Sequence, residues 1–251
     1  MRFIAVINQK GGVGKTTTTV NMGHALAMAG HKVTVMDMDP QGHLTKSLGV
    51  DHHKTPGMDR ILLDGATVAE MKQTVRENLT LIPAGPRLAE VDQLTEGGAK
   101  RGWVLKQAIN GDLAQQEYAL IDCPPSSNLL AMNSLLACNE VLVPVSGDYL
   151  SLDGLSRFMG VYEHIARALQ KDTREWIVIT RYNERRRMAR GVRLKIQDTY
   201  PGKILATPIR ENVALAEGPA IGKTIFEYQN KSKGADDYRQ LAQDLISRRT
   251  L

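Results

Sequence analysis

The start of the chain contains the feature that most constrains its fold: an apolar strand, a glycine-rich loop and a helix follow one another without a break. The strand is predicted over 3–8, and apolar residues three or four apart predict a helix over 15–29. Between them runs Lys-Gly-Gly-Val-Gly-Lys-Thr-Thr, which begins at Lys10. Glycines let backbone N–H groups approach a phosphate, the lysine adds positive charge, and a hydroxyl residue can hold Mg²⁺. Because the helix N-terminus adds its dipole, the segment predicts a phosphate-binding loop.

Lys10 distinguishes this loop from the ordinary one. The usual pattern places a glycine six positions before the lysine that begins the helix, and here that position is Gln9. The loop carries a second lysine instead. A second cation beside a phosphate needs a role of its own, and spacing alone does not reveal that role.

Apolar runs alternate with helical patterns along the rest of the chain. The further strands are predicted over 33–37, 79–83, 118–122, 140–145, 176–181 and 204–209. The further helices are predicted over 100–110, 127–138, 151–170, 188–199 and 235–248, whereas 42–98 is less regular. Continuous apolar strands that alternate with helices are typical of a doubly wound α/β fold with a mostly parallel β-sheet flanked by helices. The length fits one domain, 1–251, with ligands at the carboxyl ends of the strands.

Composition limits the class of protein. Hydrophobic residues make up 42% of the chain and charged residues 24%, as in globular proteins. The net charge of +5 favours an anionic partner. Two cysteines, Cys123 and Cys138, give no disulfide framework, and no apolar run is long enough to span a membrane. With no signal peptide in front of the first strand, we expect a cytoplasmic protein.

Carboxylates follow two of the predicted strands. Asp37 and Asp39 lie in the run Asp-Met-Asp-Pro-Gln-Gly after 33–37, and Asp122 ends 118–122. An acidic residue beside a phosphate loop can hold Mg²⁺ through water or orient an attacking water. Asp, Pro and Gly are also ordinary turn residues, so the signal depends on the loop upstream.

Together these segments resemble the ParA/MinD ATPases, which carry a deviant Walker A motif. The loop from Lys10, the Asp37–Gly42 run and the Asp-Cys-Pro-Pro run from Asp122 all match, and the likeness extends from Ile4 to about Leu245. The small ParA/Soj-type proteins without an N-terminal extension are the most similar subfamily. The resemblance implies a P-loop NTPase fold and a weak intrinsic ATPase activity.

The resemblance also implies roles for single residues. Lys10 would reach the nucleotide of a partner protomer in an ATP-bound homodimer, Lys15 would bind phosphate, and Asp39 would promote hydrolysis. The Mg²⁺ shell would involve Thr16, Asp39 and Asp122, with Asp37 as a structural or metal-shell partner. The ATP contacts would come from Gly11, Gly12, Val13, Gly14, Lys15, Thr16, Thr17 and, near the adenine, Pro208.

A one-sided excess of positive charge lies in the second half of the chain. From Arg181 to Arg210 there are nine basic residues and two acidic ones, Glu184 and Asp198. A solvated helix face is the ordinary interpretation of such a run. Non-specific DNA binding needs only Lys and Arg against phosphates, and the resemblance favours it. The candidate DNA contacts are Arg185, Arg186, Arg187, Arg190, Arg193 and Arg210.

Several alternatives remain open. Relatives usually have Arg where this chain has Ala214, so we expect one DNA contact of the family to be absent here and the arginines at 185–193 to compensate for it. A MinD-like membrane helix is not expected, because the tail from Leu241 to Leu251 contains no aromatic residue. The partner would be a ParB-like or other cargo adaptor, and the cargo could be a chromosome, a plasmid or a protein assembly. An ATP-dependent ligase or synthetase on the same fold is the alternative from a different class.

Overall fold

A seven-stranded sheet forms the centre of the computed structural model, which describes residues 1–94, 98–109, 113, 115–125, 128–148 and 150–251. The strands are β1 Arg2–Val6, β2 Val33–Asp37, β3 Gln73–Arg76, β4 Leu79–Ile82, β5 Tyr118–Asp122, β6 Glu140–Ser146 and β7 Arg174–Thr180. Their order is β3-β4-β2-β5-β1-β6-β7. All neighbouring strands pair in parallel except β3 and β4, which are antiparallel. The predicted fold class is confirmed.

Helices cover both faces of the sheet. They are α1 Lys15–Met28, α2 His43–Ser47, α3 Met58–Asp64, α4 Val68–Met71, α5 Val104–Ala108, α6 Leu129–Ala137, α7 Leu150–Ala168, α8 Arg187–Thr199, α9 Ala214–Glu217, α10 Ile225–Tyr228 and α11 Lys233–Ser247. Short 3₁₀ helices span Leu88–Gln93, Gly98–Trp103 and Gly218–Ile221. Within the part of the chain that the structure describes, no helix is long and apolar enough to cross a membrane.

Side-chain caps determine where several helices begin. The side chain of Asn128 accepts a hydrogen bond from the N–H of Ala131 at the start of α6, and Ser232 accepts one from Ala235 at the start of α11. Such caps satisfy backbone donors that have no partner inside the helix. These two helices therefore start where the sequence offers an Asn or a Ser, within two residues of the predicted boundaries.

The core lies in two layers, because successive strand residues point to opposite faces. Ala5, Ile121 and Val143 face the layer that α3 and α5 to α8 cover. Ile4 and Leu120 face the layer under α1, α10 and α11.

Both cysteines are free thiols in the first of these layers. Cys123 is 1% exposed and Cys138 is 0% exposed. Burial raises the pKa of the Cys123 thiol well above its usual value and raises that of Cys138 to about 11.

The structure corrects three sequence predictions. The segment 204–209 makes isolated bridges at Ile204 and Leu205 instead of a strand, and the N–H of Thr207 donates to the Asp244 carboxylate. Pro208 has no backbone N–H that could donate a hydrogen bond to a neighbouring strand. Strand β3 lies inside the irregular region, and the helix predicted over 100–110 is shortened to α5 after a 3₁₀ turn. Residue 110 and the start of the helix predicted over 127–138, residue 127, lie outside the described residues.

Candidate nucleotide-binding site

The glycine-rich loop joins β1 to α1 at the carboxyl end of the sheet. Gly14 precedes the helix with φ of +87°, in the left-handed region that favours glycine. A Cβ added at Gly11 or Gly12 would meet nothing within 4 Å, so the loop faces open space. The carbonyl of Val13 accepts a hydrogen bond of 2.8 Å from the Thr180 hydroxyl, which fixes the loop to the end of β7.

Lys15 begins α1 and is 8% exposed. Its ammonium group donates to the carbonyl of Lys10 at 3.3 Å. Burial lowers the pKa of Lys15, although Asp122 and Asp39 counteract part of that effect. A largely buried cation at a helix N-terminus attracts an anion strongly, because little water competes for it.

Thr16 and Asp122 meet because the sheet register brings their elements together. Asp122 pairs with Val6 of β1 and with Asp37 of β2. The Thr16 hydroxyl donates to Oδ2 of Asp122 at 2.7 Å, and the Thr19 hydroxyl donates to Oδ1 at 3.2 Å. Burial, followed by the nearby Asp37, raises the pKa of Asp122 well above its usual value. A cation nearby would stabilise the ionised form of this carboxylate.

Asp37 is fully buried beside Asp122, and its hydrogen bonds lead away from the loop. Oδ2 accepts from the N–H of Thr45 at 2.8 Å and from the Thr45 hydroxyl at 2.6 Å. Oδ1 accepts from the N–H of Asp39 at 3.2 Å. Burial raises the pKa of Asp37 to about 6. Of the two roles that the sequence left open, these contacts favour the structural one, since Asp37 holds α2 and the Asp39 turn in place.

Asp39 stands in a tight turn between β2 and α2. Its Oδ1 accepts from the N–H of Gln41 at 3.0 Å, and its carbonyl accepts from the N–H of Gly42 at 2.9 Å. Gly42 has φ of +63°, and a Cβ there would lie 2.3 Å from the His52 ring. The turn is thus closely packed behind Asp39, while Asp39 itself lines a cavity in front of the loop.

Two cavities meet at the loop and share Gly12, Gly14 and Thr17. The phosphate-side cavity, of about 600 Å³, is also lined by Gly11, Lys15, Thr16, Asp39, Pro40, Gln41, His43, Asp92, Pro124, Pro125 and Asn128. The base-side cavity, of about 540 Å³, is also lined by Thr180, Arg181, Ile209, Arg210, Glu211, Asn212, Val213, Leu215, Ala216 and Tyr238. Both volumes are in the range of ligand sites, and together they suit a nucleoside polyphosphate.

Pro208, predicted beside the adenine, lines a different cavity, which it shares with Tyr182 and Arg193. The wall of the base-side cavity begins one residue later, at Ile209. The two cavities adjoin at Arg210 and Glu211, which line both of them. The segment 209–216 therefore becomes a second candidate for the base contacts, and the contact of Pro208 stays a prediction. Arg181 also lines the base-side cavity. Its φ of +49° lies in the left-handed region, which residues other than glycine rarely adopt.

The oxygen atoms at the phosphate side fit a hard divalent cation. Among the residues with a described structure, no group of three or more His, Cys, Asp and Glu side chains is placed to hold a metal ion. Mg²⁺ is usually held by one or two protein oxygens together with phosphates and water. The Thr16 hydroxyl and the Asp122 carboxylate supply such oxygens, and a bound Mg²⁺ would offset negative charge on the phosphates.

Lys10 lies at the edge of this site, and its side chain binds residues of its own chain. Its ammonium group forms an ion pair of 2.7 Å with Oδ1 of Asp148 and a hydrogen bond of 3.0 Å to the Ser151 hydroxyl. The predicted role in a partner protomer requires these contacts to break.

The predicted DNA-contact arginines divide into two groups. Arg185, Arg186, Arg187 and Arg190 are exposed at or near the start of α8. Arg193 is half-buried, with its guanidinium over the Tyr182 ring.

Arg210 differs from these arginines because it is paired with a buried carboxylate. It forms a bidentate pair with Asp237, whose side chain is 6% exposed, and this pair raises the pKa of Arg210. Arg210 lines the base-side cavity and also the neighbouring cavity that Arg185 and Arg193 line.

Sequence reasoning missed Asp92, Asn128 and His43, which also line the phosphate-side cavity. Asp92 accepts hydrogen bonds from the Asn128 side chain and the N–H of Leu130, and burial raises the pKa of Asp92. Asp92 lies in the irregular region, where no motif marks it. An Asn directly in front of an apolar helical pattern is a typical helix N-cap, and this pattern is the sequence signal that marks Asn128.

Comparisons with known proteins agree with this geometry. A family model described as an AAA domain matches residues 1–174. The chain is 37% identical to the sporulation initiation inhibitor protein Soj of Bacillus subtilis, over 98% of each chain. It is 34% identical to the chromosome partitioning protein ParA of Caulobacter vibrioides, over 99% of this chain and 95% of ParA.

A solved structure, cobyrinic acid a,c-diamide synthase from Mycobacterium smegmatis with bound ADP and magnesium, is also similar. It is 33% identical with a TM-score of 0.84, over 98% of this chain and 94% of that one. The full-length identity to Soj and ParA confirms the resemblance that the motifs indicated. The chain belongs to the ParA/Soj family of P-loop ATPases.

Proposed function

We propose that residues 1–251 form one ATPase domain that dimerises with ATP and Mg²⁺, binds nucleoid DNA without sequence preference, and segregates chromosomal or plasmid DNA in the cytoplasm. The observation that carries this proposal is the convergence of Lys15, Thr16 and Asp122 beside two adjoining cavities. The full-length relatives named Soj and ParA support partition as the process.

In the proposed cycle each protomer binds ATP with its triphosphate at the loop and its base in the 209–216 cavity. Two nucleotides are then buried between two protomers, and Lys10 of each protomer contacts the ATP of the other. Asp39, at the cavity wall, orients the attacking water. A ParB-like adaptor stimulates hydrolysis, and loss of the γ-phosphate releases the segments that ATP had ordered.

The DNA step uses the exposed arginines at the start of α8. Four of them, Arg185, Arg186, Arg187 and Arg190, are accessible to a phosphate backbone. Cationic contacts to phosphates give affinity without base recognition, and that affinity falls steeply with salt. A dimer presents two such surfaces, so we expect DNA binding to require ATP.

Two substitutions test the nucleotide step. Asp39→Ala should bind ATP and remain a dimer on DNA, because hydrolysis is slowed while binding is kept. Lys10→Ala should bind ATP with near wild-type affinity but stay monomeric. Sedimentation velocity with and without ATP measures the dimerisation of both variants, and calorimetric titration measures their ATP affinity. An Asp39→Ala protein that is monomeric with saturating ATP would contradict the proposal.

A synthetase remains the second candidate, and the 33% identity to a cobyrinic acid a,c-diamide synthase favours it. The two functions differ in what stimulates turnover. Phosphate release that rises with DNA and an adaptor supports partition. Phosphate release that depends on a small carboxylate acceptor, with no effect of DNA, supports synthesis. The cargo could also be a protein assembly instead of a chromosome or plasmid. In that case ATP hydrolysis and the binding of nucleoid DNA stay the same, and only the cargo and its adaptor differ.

A further inference from the structure

The ammonium group of Lys10 is held by a small polar receptor within its own chain. Oδ1 of Asp148 lies 2.7 Å from Lys10 Nζ, and the Ser151 hydroxyl lies 3.0 Å away. The backbone N–H of Lys10 also donates to the Asn8 side chain at 3.0 Å. Lys10 is therefore fixed at both its backbone and its side chain in the single protomer.

The receptor is built independently of Lys10. The Ser146 hydroxyl donates to Oδ2 of Asp148, Ser146 and Ser151 hydroxyls lie 2.7 Å apart, and Ser151 also donates to Asp148. Ser146 and Ser151 are 6% and 1% exposed. The N–H of Gly147 donates to the carbonyl of Thr180, which anchors the segment to β7. The receptor would persist when Lys10 leaves.

The receptor is also negatively charged at neutral pH. Burial opposes ionisation of Asp148, but hydrogen bonds from Lys10, Ser146 and Ser151 outweigh it and hold the pKa below its usual value. Asp148 therefore stays an anion that attracts the cation of Lys10.

We propose that Asp148, with Ser151, is a positioning residue that holds Lys10 in the free protomer and competes with the partner's triphosphate for it. This inference rests on the proposed function, in which Lys10 contacts ATP in trans. A triphosphate carries more negative charge than one carboxylate, so ATP wins the competition. Once the γ-phosphate is lost, part of that charge is gone and Asp148 recaptures Lys10, which favours dissociation.

The expected size follows from the exposure of the pair. The side chains are 34% and 47% exposed, and ion pairs of such exposure shift an equilibrium by about two- to fivefold. A symmetric dimer breaks two of these pairs. Removing the charge of Asp148 should therefore lower the dimer dissociation constant by about 4- to 25-fold.

Asp148→Asn tests the inference, with Asp153→Asn as the control because Asp153 is an exposed carboxylate on the first turn of α7. Sedimentation velocity over a range of protein concentrations, with a non-hydrolysable ATP analogue and Mg²⁺, gives the dissociation constants. We expect tighter dimers for Asp148→Asn, wild-type behaviour for Asp153→Asn, and a smaller shift in the same direction for Ser151→Ala. Nucleotide affinity and thermal melting check that each variant is folded.

The outcomes separate this inference from the proposed function. A wild-type protein that stays monomeric at every concentration with the analogue overturns both. A wild-type dimer with an unchanged or weaker dimer of Asp148→Asn overturns the Asp148 role alone. The effect must also depend on the ammonium group of Lys10. We expect the double variant Lys10→Ala/Asp148→Asn to stay as monomeric as Lys10→Ala, and a double variant that dimerises more tightly than Lys10→Ala would show that Asp148 does not act through Lys10.

Discussion

The Thr16 hydroxyl donates a hydrogen bond of 2.7 Å to Asp122, which joins the first turn of α1 to the end of β5. The hydroxyl and the carboxylate come from segments more than a hundred residues apart, yet the β1–β5 register brings them together. The same contact places an ionisable oxygen, with a pKa raised by burial, beside the phosphate loop.

Asp122→Asn removes that charge and keeps the shape of the side chain. We expect nucleotide binding to lose its Mg²⁺ dependence, with metal affinity lowered about 10- to 100-fold, as for other residues that orient a metal shell. Stability without nucleotide should not fall, because burial disfavours the charge that is removed. Calorimetric titration of ADP at several Mg²⁺ concentrations measures the effect. Asp198→Asn on exposed α8 is the control, and equal Mg²⁺ dependence in both variants would contradict the assignment.

Asp37 gives the nucleotide-free protein a pH-dependent stability. Its pKa is raised from 3.8 to about 6, so the folded protein binds this proton more tightly than the unfolded chain. The stabilisation is complete below pH 3.8 and is lost as pH rises through about 6, and it amounts to about 3 kcal/mol. Asp37→Asn cannot ionise, so its stability relative to wild type should rise by that order between pH 4 and pH 7.

Urea unfolding at pH 4, 5, 6 and 7 measures this difference. The comparison uses the variant minus the wild type, since other carboxylates titrate in both proteins. Asp198→Asn should show a difference that does not change with pH. If the Asp37→Asn difference is equally flat, the carboxylate is already ionised at pH 4 and the burial argument fails.

Gly42→Ala should disturb the turn that presents Asp39. The residue has φ of +63°, and the new Cβ would lie 2.3 Å from the His52 ring. A left-handed alanine costs about 1–2 kcal/mol, and overpacking adds about 1–3 kcal/mol. The free energy of unfolding should fall by about 2–5 kcal/mol, and ATP hydrolysis should fall with it.

Gly65→Ala is the matched control for this prediction. Gly65 has φ of +74°, but a Cβ there meets nothing within 4 Å. It should cost only the backbone term, about 1–2 kcal/mol, and leave hydrolysis intact. Denaturant unfolding and phosphate release on both variants separate the two effects. Equal losses of stability would show that the His52 contact relaxes at little cost.

Arg187 and Arg210 should behave differently although both belong to the basic run. Arg187→Ala removes an exposed cation from α8, so the free energy of unfolding should not change. DNA affinity should fall, and the slope of log affinity against log salt concentration should be smaller by about 1. Arg210→Ala leaves the buried Asp237 without its cationic partner, with only the backbone N–H of residue 210 still donating to it, and should cost about 1–3 kcal/mol of stability. Thermal melting and DNA titration at several salt concentrations measure both. A normal melting temperature for Arg210→Ala would contradict the structural role.

The elements that the sequence predicted best are those that the core determines most strongly. Strands β1, β2 and β5 are short continuous apolar runs buried on both faces, and 33–37 and 118–122 coincide with the predicted bounds. Strand β3 was missed because Gln73–Arg76 is polar and lies at the sheet edge, where little is buried. The segment 204–209 is apolar enough for a strand, but Thr207 and Pro208 direct its backbone elsewhere.

The site was predictable where a local motif carries it and not where distant side chains meet. The loop from Lys10 to Thr17 is contiguous, so its backbone geometry follows from local spacing. The Lys10–Asp148 pair and the Arg210–Asp237 pair join segments that only the folded sheet brings together. No spacing between residues in the sequence indicates that either of these pairs forms. Which residues near Pro208 line the base-side cavity likewise depends on how 204–209 packs, rather than on any motif.

The burial of both cysteines makes this chain a convenient host for site-specific probes. Cys123 and Cys138 are shielded from reagents, and their raised pKa values leave almost no thiolate at neutral pH. A single cysteine placed at an exposed position, such as Asp198→Cys on α8, would therefore take a maleimide dye without removal of the native thiols. Movement on and off DNA could then be followed by fluorescence in a protein whose interior is unchanged.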